Sequence, residues 1–131
     1  MRLLLDTHVW LWSHLEPEQL ARSAVRALED QANQLWLSPI SLWELLMLEE
    51  RGRVQLECSV GSWIERALES APMNDAPLTR EVALATREIR LGHRDPADRF
   101  LAATARVFDL TLLTADQRLL DGQGFAVMAS R

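Results

Sequence analysis

MRLLLDTHVWLW, residues 1–12, decides the fold. Arg2 to Leu5 reads as a strand, and its three consecutive leucines, with no polar residue between them, suit a strand covered on both faces. Such strands are parallel and lie inside an α/β sheet. The run ends in a single carboxylate, Asp6, and an apolar, Trp-rich helix begins directly behind it. In open α/β sheets, chemistry collects just beyond the carboxyl ends of the strands. Asp6 stands at such a place, which is also where an N-cap for the following helix would stand. This residue alone does not separate the two roles.

The remainder alternates strand and helix signals, which predicts one α/β domain: a central parallel sheet of four or five strands with helices on both faces. The spacing predicts a helix from about Pro17 to Ala32, with Leu20, Ala24, Ala27 and Leu28 on one face. Gln34 to Leu37 (QLWL) reads as a short strand, and the helix after it begins at Pro39 or Ser41 and ends at Gly52. Helices follow from Ser62 to about Ala71 and from Thr79 to Leu91, and the loop-like APMNDAPLT between them has room for a short edge strand. Another helix opens at Pro96. Leu110 to Leu113 is a second buried strand, Ala115 to Leu120 a short helix, and Phe125 to Met128 a last strand.

Composition narrows the function. A chain of 131 residues has room for one domain, and 48% hydrophobic with 25% charged residues is ordinary for a globular protein. No apolar run approaches the ~18 residues that span a bilayer, and the opening run, which carries Asp6 and His8, is not a signal peptide. One cysteine, Cys58, excludes an internal disulfide and a cysteine-rich metal site, and a reducing cytoplasm is the expected compartment. The net charge of -5 argues against a broad basic surface for nucleic acid. All 14 basic side chains are Arg, so chemistry that needs lysine is excluded.

Four acidic positions stand out: Asp6 after the first strand, Glu44 on the helix after the second, the pair Asp95 and Asp98 opening a helix, and Asp116 after LTLLT. Each has a local explanation. Ser41-Leu-Trp-Glu44 has the form of a capping box, Asp95 before Pro96 is an N-cap with Asp98 in the dipole-favoured first turn, and Asp116 can cap the helix behind it. In a parallel sheet, however, these helix N-termini share one edge, so capping itself would gather the acids around one crevice. Two carboxylates 4 Å apart repel by about 4 kcal/mol at an effective dielectric of 20. Crowding of that kind invites a divalent cation. Oxygen donors without Cys or paired His select a hard ion, Mg²⁺ or Mn²⁺, which can activate water and stabilise a leaving oxygen in phosphodiester hydrolysis.

LLLDTHVWLW, SPISLWELL, HRDPADRFLAATA and LTLLTAD, in this order and at these separations, resemble the PIN-domain ribonucleases, and among them the VapC toxins of toxin–antitoxin pairs. The resemblance covers nearly the whole chain, so residues 1–131 are expected to form one PIN domain. It implies a metal-dependent endoribonuclease whose catalytic and metal-binding acids are Asp6, Glu44, Asp98 and Asp116. Asp95, the leading acid of the DPxDR signature found in one branch, is a possible accessory. Mg²⁺ or Mn²⁺ is the implied cofactor, RNA the substrate, a cognate antitoxin the partner, and a homodimer the assembly. Leu48 stands where many members of this branch carry Lys.

Among the other polar residues, His8, His14 and His93 read as packing or surface groups, since a metal-activated water needs no histidine base. Thr7, Thr114, Ser38 and Ser41 can either cap helices or orient carboxylates. Arg99 reads as an ion-pair partner for Asp98. The five tryptophans, Trp10, Trp12, Trp36, Trp43 and Trp63, are mostly core by default, and those on the first and third helices can also form a subunit or antitoxin interface. A phospho-receiver would need a lysine, and a haloacid-dehalogenase-like phosphatase would need a second Asp where His8 stands. The alternative that survives is a non-catalytic PIN-like binding scaffold.

Overall fold

A computed structural model describes residues 1–131. The elements run β1 (Arg2–Leu5), α1 (Thr7–Leu15), α2 (Arg22–Glu29), β2 (Gln34–Leu37), α3 (Pro39–Glu50), α4 (Val60–Ser70), β3 (Asn74–Asp75), α5 (Arg80–Ala85), α6 (Pro96–Phe108), β4 (Thr111–Thr114), α7 (Gln117–Leu120) and β5 (Ala126–Ala129). Short 3-10 turns lie at Pro17–Gln19 and Thr86–Glu88. All five strands are parallel, in the order β3-β2-β1-β4-β5. The strand order reverses at β1, where the chain goes to β2 on one side and later returns to β4 on the other. A crevice between the carboxyl ends of β1 and β4 is the geometric consequence.

Burial explains why β1 is central. Leu3, Leu4 and Leu5 are all fully buried, each stabilising the fold by about 2 kcal/mol. Side chains alternate across the sheet, so Leu3, Leu5 and Leu113 pack with Val9, Trp10, Ala24, Leu45 and Ala67 on one face, while Leu4 and Leu112 pack with Leu101, Ala105 and Leu119 on the other. Helices therefore cover both faces, as the leucine run predicts. The edge strand expected within APMNDAPLT is β3, only two residues long and paired to Trp36 and Leu37.

Two predicted helices are broken by tertiary hydrogen bonds. The helix expected from Pro17 to Ala32 is interrupted at Leu20 and Ala21, both extended, because the Ala21 N–H reaches the Ser130 carbonyl at 2.8 Å. The helix expected from Thr79 to Leu91 stops at Ala85. Arg90 instead makes an antiparallel bridge with Gln123, exchanging backbone hydrogen bonds of 3.0 and 2.9 Å. No helix is long and apolar enough to cross a membrane.

Candidate active site

Asp6 is the first residue beyond β1 and the N-cap of α1. One carboxylate oxygen accepts the Thr7 N–H at 2.7 Å and the other accepts the Thr114 hydroxyl at 2.6 Å. Thr114 in turn accepts the Asp116 N–H at 3.0 Å, so the end of β4 ties two of the predicted acids together. Burial raises the pKa of Asp6, and the nearby Asp116 charge adds to it. Hydrogen bonds from Thr114 and Thr7 and the proximity of His8 offset part of the rise.

Glu44 arrives from α3. The capping box expected at Ser41 is not the helix start: Ser38 is the N-cap, its hydroxyl accepting the Ile40 N–H at 3.1 Å, and Pro39 takes the first turn. Ser41 lies inside the helix, fully buried, and faces Thr7 instead. The Thr7 hydroxyl oxygen is 2.6 Å from Glu44 Oε1 and 2.8 Å from Ser41 Oγ. One proton serves only one of them, so when Thr7 donates to the carboxylate, Ser41 must donate to Thr7. Burial, the largest cause, together with the charges of Asp6, Asp98 and Asp95, pushes Glu44 up to about 7, against the Thr7 hydrogen bond.

The α6 start is as the sequence predicts. Asp95 is extended and caps the helix, accepting the Ala97 N–H at 2.9 Å, and Pro96 occupies the first turn. Asp98 is inside that turn and buried, and His93 Nε2 lies 2.8 Å from its Oδ2. Burial, followed by the charges of Asp95, Asp6 and Asp116, pushes Asp98 up to about 6, although the His93 hydrogen bond opposes the shift. His93, Asp95 and Asp98 each offer a donor atom within 4.8 Å of one another. Asp116 caps α7 and differs from the rest: Arg118 donates to both its oxygens, at 3.2 and 3.0 Å, and holds its pKa below the ordinary range.

Asp6, Glu44, Asp95, Asp98 and Asp116 line one cleft of about 320 Å³ at the predicted sheet edge. The chain has only two ion pairs, Arg118 with Asp116 and His93 with Asp98, so Asp6 and Glu44 have no cationic partner. Buried, crowded oxygen donors with raised pKa values are what a hard divalent cation would neutralise, and the donor set fits Mg²⁺ or Mn²⁺. Such crowding also sets a pH dependence. Glu44 and Asp98 bind protons more tightly folded than unfolded, so stability contributed by protonation is present below about pH 4 and lost as pH rises towards about 7. Metal-free protein should therefore melt higher at pH 5.5 than at pH 8. After discounting for partial exposure the gain is on the order of 1 kcal/mol, or about 3–5 °C. Calorimetry in chelator checks this, and Glu44→Gln should flatten the profile.

The PIN domain family matches this sequence over residues 3–123. This chain belongs to the PIN domain family. It is 37% identical over 118 residues to Ribonuclease VapC22 of Mycobacterium tuberculosis (strain ATCC 25618 / H37Rv), covering 89% of this chain and 88% of that protein. Its fold is similar to VapBC2 from Rickettsia felis bound to a DNA fragment from their promoter, with TM-score 0.73, 14% identity and 98% of each chain covered. VapBC-1 from nontypeable Haemophilus influenzae is also similar, with TM-score 0.66, 18% identity and 98% of each chain covered.

Within this PIN domain, the five acids read from the sequence all reach the cleft. The roles expected of two other residues need correction. His93 is not a packing or surface group, since it holds Asp98; its position in the loop before Asp95 carries no periodicity that would reveal this. Arg99 does not pair with Asp98. Its guanidinium turns the other way and donates to the carbonyls of Thr86 and Ile89, at 3.2 and 2.8 Å. Leu48, at the position of the missing lysine, packs against the larger core cluster. Trp12, Arg118 and Arg131 also line the cleft, and none is marked out by the acid pattern.

Proposed function

We propose that this PIN domain is a metal-dependent endoribonuclease, the toxin of a toxin–antitoxin pair. The observation that carries the reading is the group of crowded carboxylates at the switch point of a parallel sheet, of which Asp6 and Glu44 have no cationic partner. The identity to Ribonuclease VapC22 supports it across most of both chains. Asp6, Glu44 and Asp98 would hold Mg²⁺ or Mn²⁺, with Asp116 and Asp95 beside them. When bound there, such an ion supplies activation of a water and charge neutralisation at a phosphate oxygen.

The protein's own part is orientation. Thr114 and the Thr7 amide fix Asp6, the Thr7 hydroxyl fixes Glu44, and His93 fixes Asp98, so three carboxylates are held before any ion arrives. Preorganisation of this kind avoids reorganisation during the reaction. Hydrolysis adds water across one P–O bond of the RNA strand and releases two ends. The cognate antitoxin is the proposed protein partner, supported by a similar fold in VapBC-5 from Mycobacterium tuberculosis, a member of the VapBC family of toxin-antitoxin systems. A homodimer and a cytoplasmic location complete the reading.

The test is cleavage of single-stranded RNA by purified protein with Mg²⁺ or Mn²⁺ and with chelator. Cleavage that needs the ion, and that a co-purified antitoxin suppresses, is the expected result. Binding of RNA with no cleavage under any of these conditions would favour the scaffold alternative.

A further inference from the structure

An acidic cleft is a poor place for a polyanion. Five carboxylates line it, the chain carries a net charge of -5, and there is no lysine to help. Two arginines reach the rim, Arg118 and Arg131. Arg118 is committed, because both oxygens of Asp116 are already bonded to it. Arg131 is not: it makes no ion pair anywhere in the structure.

Arg131 is nevertheless held in place. Its guanidinium carbon lies 4.8 Å from the centre of the Trp12 ring, and its nitrogens donate to the backbone carbonyl of Gln19, at 3.3 Å, and to the Gln19 side chain. Both Gln19 groups are neutral, so these contacts orient the cation without neutralising it. Trp12 is itself anchored, since it packs against the main core cluster and its ring lies 5.7 Å from that of His8 at a tilt of 51°. The cleft rim thus carries a fixed cation on an aromatic face, beside a second ring. Single-stranded nucleic acid is bound by that pairing of a cation for the backbone and rings for the bases.

We infer that Arg131, seated on Trp12, receives a phosphate of the RNA strand next to the one at the carboxylates, and that it is a substrate-positioning residue of the cleft. This rests on the nuclease reading above and adds to it how an acidic protein holds its substrate. The contact is electrostatic and blind to sequence, so it should act on every RNA alike and weaken with salt.

The experiment measures RNA cleavage against salt concentration for the wild type, Arg131→Gln and Arg131→Lys, with an oligonucleotide as substrate and Mn²⁺ saturating. Losing one exposed charge-assisted contact should raise KM about threefold to tenfold with kcat nearly unchanged. The slope of log kcat/KM against log salt should become shallower by about 0.7, the value for one phosphate on a single strand. Arg131→Lys should regain most of that slope, which a merely structural loss would not restore. Arg131 is exposed, so melts should coincide for the three proteins. If the wild type cuts RNA and Arg131→Gln keeps its KM and salt slope, the phosphate contact is overturned while the nuclease reading stands. If the wild type neither binds nor cuts RNA, both fall.

Discussion

Asp98→Asn should abolish RNA cleavage, by about a hundredfold or more, while the metal-free protein melts no lower than the metal-free wild type. Asp98 lies in the first turn of α6, where the helix dipole favours a negative charge, yet its pKa is pushed up to about 6. Burial and the charges of Asp95, Asp6 and Asp116 therefore outweigh the dipole at this site. A neutral side chain of the same shape relieves that repulsion. It also keeps a partner for His93 Nε2, which lies 2.8 Å from Oδ2. What is lost is the charge available to an ion. Asp95→Asn makes the contrast, because Asn caps a helix nearly as well as Asp and can still accept the Ala97 N–H. It should keep activity within about fivefold. Single-turnover cleavage at saturating Mg²⁺, alongside thermal melts in chelator, compares the two. A dead Asp95→Asn beside an active Asp98→Asn would reverse the roles assigned to them.

The same helix start shows why so much of the site was legible in the sequence. Capping and function looked like competing explanations for Asp6, Asp95 and Asp116, and all three residues do cap helices. They also line one cleft. Capping and placement in one cleft coincide because a parallel sheet directs every strand-to-helix turn to the same edge, and a cap has to sit at that turn. The leucine run of β1 and the Asp-Pro pair at α6 are local signals strong enough to survive folding.

What escaped were features set by contacts distant in sequence. Ser41 looked like a cap because three residues separate it from Glu44, but Pro39 already fixes the first turn and leaves Ser38 outside as the cap. The Thr7 hydroxyl that Ser41 meets instead lies 34 residues away. The breaks at Ala21 and after Ala85 depend on Ser130 and on the Arg90–Gln123 bridge, which no local periodicity encodes. His93 could not be told from a loop histidine until the turn brought its ring against Asp98.

Asp6→Asn should separate the ion from the fold. Asp6 is buried with its pKa raised, so at pH 8 its ionised form costs stability in the metal-free protein. The cost should fade as pH falls and the folded state takes up the proton. An Asn oxygen can accept the Thr7 N–H in place of Oδ1, and its NH₂ can donate to Thr114 Oγ1 once that hydroxyl rotates. In chelator at pH 8 the variant should therefore melt as high as the wild type or higher, and the gap should narrow towards pH 5.5. With Mn²⁺ the order should invert. A cation that binds only the folded wild type adds about 2.7 kcal/mol at a hundred times its dissociation constant, or about 10 °C in a chain of this size. Asp6→Asn should lose most of that rise together with cleavage, since the removed charge belongs to the most deeply buried of the cleft's carboxylates without a cationic partner. Should the variant keep the full Mn²⁺-dependent rise, the ion is held elsewhere, and His93, Asp95 and Asp98, whose donor atoms lie within 4.8 Å of one another, become the group to substitute next.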